Sequence, residues 1–176
     1  IVDPKTNSNW ISYVKEKIQE DGYVLVENVL NEKFLNITKE KMDLVQSLIH
    51  NEIGLERLKL AGELGGVLRD PMYYDHHFFK LLEIPEVLSV VDNLISKTAI
   101  LHLQNALILP SFGKEAPKVF QNTFHPDVRR TINNFLMAIN IMFPIDDYSE
   151  NNGGTKIVPG THQQKTPPSQ SFIEEN

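Results

Sequence analysis

The feature that most constrains this chain is a change of hydrophobic period near Lys97. Before it, apolar residues recur at helical spacing; after it, they run or alternate as they do in strands. Trp10, Val14 and Ile18 fall at i, i+4 and i+8, the face of a first helix that Ser8 or Asn9 can cap and Asp21-Gly22 can end. Tyr23 to Val29 reads as a strand, β-branched and aromatic. Asn31 suits the cap of a second helix running through Phe34, Leu35, Met42, Val45, Leu48 and Ile49. Pro85 suits the first position of a third, with Val87, Leu88, Val91, Leu94 and Ile95 on its buried face. Residues 50–70 show no regular pattern, being interrupted by Gly62, Gly65 and Gly66.

Beyond Lys97, Ala99 to Leu109 reads as a long strand, Thr131 to Phe143 as another that Pro144 ends, and Thr155 to Val158 as a short third. Helices followed by strands predict an α+β fold, with helices packed on one side of an antiparallel sheet. No repeat and no linker divides the chain. The expectation is one domain over 1–176: a mainly helical part (1–98), strands carrying the chemistry (99–162) and a polar tail without periodicity (163–176).

Alternation along the two long strands separates their faces. Phe135, Met137, Ile139, Ile141 and Phe143 are all large and apolar, whereas Leu136, Ala138, Asn140 and Met142 form a smaller, partly polar set. In the earlier strand His102, Gln104, Ala106 and Ile108 share a face, opposite Leu101, Leu103, Asn105, Leu107 and Leu109. Gln104 and Asn140 are therefore either pocket-lining groups, with Leu103 and Ile139 facing away, or buried polar groups satisfied by backbone.

Composition excludes several classes. With no cysteine, disulfide frameworks, zinc–thiolate sites and cysteine nucleophiles are ruled out. A net charge of −6 argues against a nucleic-acid or anionic-membrane partner. No run approaches a membrane span, and Asp3, Lys5 and several Asn at the start are unlike a secretion signal, which makes the cytoplasm the default address. The first residue is Ile1 rather than Met, as in a piece of a longer chain.

The sharpest local signal is Phe124-His125-Pro126-Asp127. In an extended segment residues i and i+2 project to one side, and proline biases the residue before it toward extended geometry. His125 and Asp127 would then aim an imidazole and a carboxylate at one point. That is two-thirds of a 2-His-1-carboxylate triad, the facial arrangement of non-haem Fe(II) oxygenases. His-x-Asp alone is a weak signal, and x-His-Pro-Asp also reads as an ordinary surface turn. Arg129, two residues on, would face the same way and could meet an anion; Arg129-Arg130 reads equally as a solvated pair. His162 falls in a turn. His76-His77 diverge too far to hold one ion, because neighbours point apart.

The order of these motifs adds specificity. Asp21 to Leu30 is similar to the opening of the phytanoyl-CoA dioxygenase family, and Asn152-Gly153 through Pro159-Gly160-Thr161-His162 resembles its Asn-Gly…Pro-Gly-Ser-His signature. The resemblance runs from about Trp10 to His162. It implies a double-stranded β-helix, or jelly roll, flanked by the N-terminal helices. It also implies Fe(II), 2-oxoglutarate and O2, with hydroxylation of a small organic substrate or acyl thioester. By the same resemblance His125 and Asp127 match the first two iron ligands, Gln104 the glutamine near the co-substrate, and His162 the hairpin turn. Phe124 stands where the family often has Trp.

The family's second iron-binding His and its 2-oxoglutarate Arg lie beyond that turn, yet no His follows His162 and no Arg follows Arg130. A jelly roll needs more strands than the five or six counted here. The expectation is a chain missing the C-terminal part of the fold and incomplete as a catalyst. The alternative is a jelly-roll binding module without catalysis. A halogenase of the same family is disfavoured by Asp127, which occupies the place a halide would need.

Overall fold

The computed structural model describes residues 1–62, 66–109, 124–125, 127, 136–149, 151–164, 166 and 168–175. In chain order the elements are α1 (Trp10–Glu20), α2 (Glu32–Ile53), α3 (Leu55–Leu60), β1 (Val67–Arg69), α4 (Pro71–Tyr74), a 3-10 turn (His76–Leu81), α5 (Pro85–Leu94), β2 (Asn105–Leu107), a second 3-10 turn (Thr161–Gln163) and α6 (Gln170–Glu175). They belong to two compact units, one made of Ile1–Val29, Ile84–Ala99 and His125–Asn176, the other of Leu30–Glu83 and Ile100–Phe124.

In the first unit α1 packs against α5. Val14 is buried, with Trp10 and Ile18 half-buried on the same face, as the helical spacing predicts. Asn9 is the N-cap residue but makes no side-chain cap bond; the Asn7 Oδ1 instead accepts from Asn9 N at 2.8 Å. At the other end both Asp21 N and Gly22 N donate to Lys17 O, and Gly22 takes φ +82°, a left-handed turn open to a residue without Cβ. Along α5, Val87, Val91 and Leu94 are half-buried, whereas Leu88 is exposed and no residue is fully buried. Among the described elements, contact with α1 covers a narrower strip than the apolar stripe offers.

The expected strand Tyr23–Val29 contributes a single parallel bridge, Val2 to Val26, through Val2 N to Leu25 O and Glu27 N to Val2 O, each 2.9 Å. Asn28 ends the extended run at φ +58°, its amide donating to Asp3 Oδ2 at 2.8 Å. Residues 136–143 and 155–158 form no ladder among the described residues, and residues 131–135 of the expected second strand lie outside them. From Ile139 onward the predicted alternation holds: Ile139, Ile141 and Phe143 are half-buried, Asn140 and Met142 exposed. Met137, expected on the core face, is exposed. The tail is more ordered than its composition suggested, because Ser169 Oγ accepts from Phe172 N at 3.2 Å and starts α6.

In the second unit the buried positions of α2 are Thr38, Met42, Val45 and Ile49, a stripe at i, i+4, i+7 and i+11. They meet Leu58, Leu68 and Phe78, the last two 1% exposed. Asn31 caps α2 as expected, its Oδ1 accepting from Phe34 N at 2.9 Å. β1 and β2 pair antiparallel with Leu68 opposite Ala106, and Asp70 N to Gln104 O and Ile108 N to Gly66 O extend the pairing at 2.9 Å each. A Cβ on Gly66 would stand 1.7 Å from Ile108 O, so only glycine allows this approach. Of the long strand expected over 99–109, only 105–107 forms a ladder among the described residues. Its half-buried face carries Gln104, Ala106 and Ile108, while Leu101, Leu103, Leu107 and Leu109 are exposed.

Candidate functional site

Among the residues singled out by sequence, His125, Asp127 and Asn140 come together. His125 Nε2 stands 3.7 Å from Asp127 Oδ1, with the imidazole 29% and the carboxylate 58% exposed. Asn140 Nδ2 donates to Asp127 Oδ2 at 2.9 Å. Only the amide end of an asparagine can donate to a carboxylate, so Asn140 fixes one oxygen and leaves the other turned toward His125. Two donors on one ion, each about 2.1 Å from it and at right angles, stand about 3 Å apart. The observed separation is close enough that a small side-chain rotation brings both onto one metal, and an imidazole plus a carboxylate is a donor set suited to Fe(II). The residues present thus fit part of an iron site. No group of three metal-ligating side chains gathers among the described residues.

Gln104 belongs to the second unit. Its Nε2 donates to Phe78 O at 3.0 Å, and its buried Oε1 has no hydrogen-bond partner among the described residues. Reversing the amide would set oxygen against oxygen at Phe78, so the orientation is fixed and the free end is an acceptor. A buried acceptor without a donor costs about 1–3 kcal/mol. His102, on the same side by sequence, is exposed. Arg129 lies outside the described residues.

The stretch Asn152 to His162 forms two linked turns. Asn152 closes the first: its Oδ1 accepts from Ser149 N at 2.8 Å, and its Nδ2 donates to Asp147 O. The second turn docks on the C-terminus of α1. Gly160 N donates to Asp21 O at 2.8 Å, His162 Nε2 lies 3.2 Å from Gln19 O, and Gln163 Nε2 also donates to Gln19 O. The open carbonyls at a helix end need donors, and this turn supplies them. His162 therefore has a structural partner within its own unit, as its place in a turn suggested.

One buried polar cluster was not evident from sequence. His77 is 6% exposed and its Nε2 lies 2.8 Å from Thr38 Oγ1, which itself donates to Phe34 O at 2.8 Å. A hydroxyl has one proton, so Nε2 is the protonated nitrogen of His77. Asp75 accepts from His77 N and from Lys41 Nζ, at 2.8 and 2.7 Å. Lys41 and then the His77 amide hold the Asp75 carboxyl below its usual range. Burial, and then Lys80, push His77 down. The Phe34 ring lies 4.8 Å from the imidazole. These contacts fasten α2 to the 3-10 turn. His76, next door, is exposed, so the adjacent histidines diverge as expected. A separate hollow of about 450 Å³ in the second unit is lined by Ile49, Ile53, Val67, Arg69, Met72 and Tyr74.

Residues 18–176 match the phytanoyl-CoA dioxygenase family. Uncharacterized proteins of Mycobacterium bovis and Mycobacterium tuberculosis are each 48% identical over 171 residues, covering 97% of this chain and 62% of their own length. The chain therefore spans somewhat under two-thirds of these curated relatives. No solved structure matches it. Among the described residues no helix is long and apolar enough to cross a membrane. With a family match over nearly its whole length, the chain belongs to the phytanoyl-CoA dioxygenase family.

Proposed function

We propose that the protein is a non-haem Fe(II) and 2-oxoglutarate-dependent dioxygenase that hydroxylates a small organic substrate or an acyl thioester, and that its core is a jelly roll flanked by the N-terminal helices. The observation that carries this reading is the pairing of His125 Nε2 with Asp127 Oδ1 at 3.7 Å in a chain of this family. His125 and Asp127 would hold the iron. When bound, the metal supplies activation of dioxygen coupled to decarboxylation of the keto acid. His125 offers a ring nitrogen. Asp127 offers Oδ1, and Asn140 keeps the carboxylate from rotating away, a positioning role that commonly tunes metal affinity by 10- to 100-fold, roughly. Gln104 presents an acceptor that a hydroxyl or amide donor would satisfy. Arg129 is the cation in this sequence that we assign to an anionic co-substrate or substrate, since a carboxylate removed from water needs a partner.

The test is an anaerobic Fe(II) titration of the full-length protein, followed by succinate release on adding 2-oxoglutarate and air. His125→Ala and Asp127→Ala should each abolish both signals. Asn140→Ala should weaken iron binding by roughly 10-fold or more while leaving the fold intact. Unchanged iron affinity in both ligand variants overturns the assignment. Tight iron binding without succinate from the wild type would favour a binding module instead. Chloride should leave the product hydroxylated, because Asp127 fills the position a halide would take.

A further inference from the structure

We propose that Met142 is a modification site, a thioether set up to take one oxygen atom from hydrogen peroxide and become a sulfoxide. The chain has four methionines. Met42 is buried and Met72 half-buried, while Met137 and Met142 are 43% and 46% exposed. Exposure does not distinguish the last two; among the described residues, it is Met142 that has hydroxyls aimed at its sulfur. Thr155 Oγ1 donates toward Met142 Sδ at 3.6 Å and Tyr148 OH at 3.9 Å. Both hydroxyls sit at the ends of the turn that Asn152 braces, where Gly154 N also donates to Ser149 O at 3.1 Å. The donors are therefore held in place around the sulfur.

A thioether is a weak hydrogen-bond acceptor, so two hydroxyls aimed at it gain little. A sulfoxide oxygen is polar and accepts strongly, and methionine oxidation turns an apolar side chain into a polar one. In the reaction the sulfur lone pair attacks one peroxide oxygen. The O–O bond breaks as the S–O bond forms. The departing hydroxide takes the proton carried by the transferred oxygen and leaves as water. Sulfur is oxidised by two electrons and peroxide reduced by two. Negative charge builds on the departing oxygen as the O–O bond breaks, and Thr155 and Tyr148, held beside the sulfur, can donate to it and then to the sulfoxide oxygen once that has formed. Once formed, the sulfoxide ties residue 142 to the 148–155 turn more firmly than the thioether did.

The experiment exposes the full-length protein to graded hydrogen peroxide and maps each methionine by peptide mass spectrometry. Met142 should gain its oxygen about fivefold faster than Met137, the factor given by one hydrogen bond of ordinary strength formed as oxygen transfers. Tyr148→Phe should reduce that advantage, and Tyr148→Phe with Thr155→Val should erase it, with circular dichroism reporting that each variant is folded. Equal rates at Met142 and Met137 in the wild type overturn the proposal. So does an advantage that survives the loss of both hydroxyls.

Discussion

The imidazole of His77 shows how much one residue can depend on a partner far along the chain. Its Nε2 proton has Thr38 Oγ1 as acceptor, 39 positions away. Removing that acceptor by Thr38→Val leaves a buried N–H unpaired, which should cost about 1–3 kcal/mol in urea unfolding. The ring is held neutral, since burial and Lys80 lower its affinity for a proton and Lys41 adds to them, opposed only by Asp75. The folded-state value therefore lies below the unfolded one. In that case stability is full above the unfolded value of 6.5 and declines as pH falls through it, because the unfolded chain takes up the proton first. Urea midpoints measured from pH 7.5 down to pH 5.5, roughly one unit either side of that value, should fall in the wild type and stay flatter in His77→Gln. Asp75 has the same sign at lower pH: its contribution is present above 3.8 and fades below. Sequence could say that His76 and His77 point apart, because that follows from geometry of adjacent residues. It could not say that Thr38 is the partner, because a threonine on a helix stripe looks the same whether or not a histidine reaches it. His125 and Asp127 were legible for the opposite reason, being two residues apart on either side of a proline.

At the scale of elements, helices were more legible than strands. A helix makes its hydrogen bonds within a few residues, so the Asn31 cap, Pro85 at the start of α5 and Gly22 at the end of α1 all carry local information. A strand acquires its ladder from another segment. The apolar run over 99–109 could be read, but not that its ladder with β1 would cover only 105–107. Nor did β-branched composition reveal that, among the described residues, Tyr23–Val29 would pair with Val2 alone. Asn31→Ala should destabilise α2 by about 1 kcal/mol in thermal or urea unfolding. Gly22→Ala should cost more, because the added methyl meets both a left-handed backbone, worth about 1–2 kcal/mol, and the His162 ring. The ideal Cβ would lie 2.4 Å from His162 Nδ1. A double-mutant cycle with His162→Ala should recover part of the loss, and strict additivity of the two substitutions would show that the ring gives way freely.

For the molecule as a whole, the family was legible because its motifs come in a fixed order, although no single motif was specific. The substrate was not, since nothing in the chain names the group that a pocket would select. The docking of residues 160–163 on the end of α1 has a further consequence in time. The hydrogen bond between His162 and Gln19 spans 143 positions. Bringing such distant segments together slows folding, as the closure entropy must be met before the contact forms. On the ribosome, at about 5–20 residues per second, α1 emerges roughly 7–30 s before the turn that caps it exists. Its last carbonyls stay hydrated during that interval, and α1 is completed only once a segment 143 positions further along has been made. In pulse-labelled hydrogen exchange during refolding, the Gly160 amide, which donates to Asp21 O, should gain protection after the amides in the middle of α2. Simultaneous protection of the two would mean that the turn finds α1 as fast as a helix forms its own bonds.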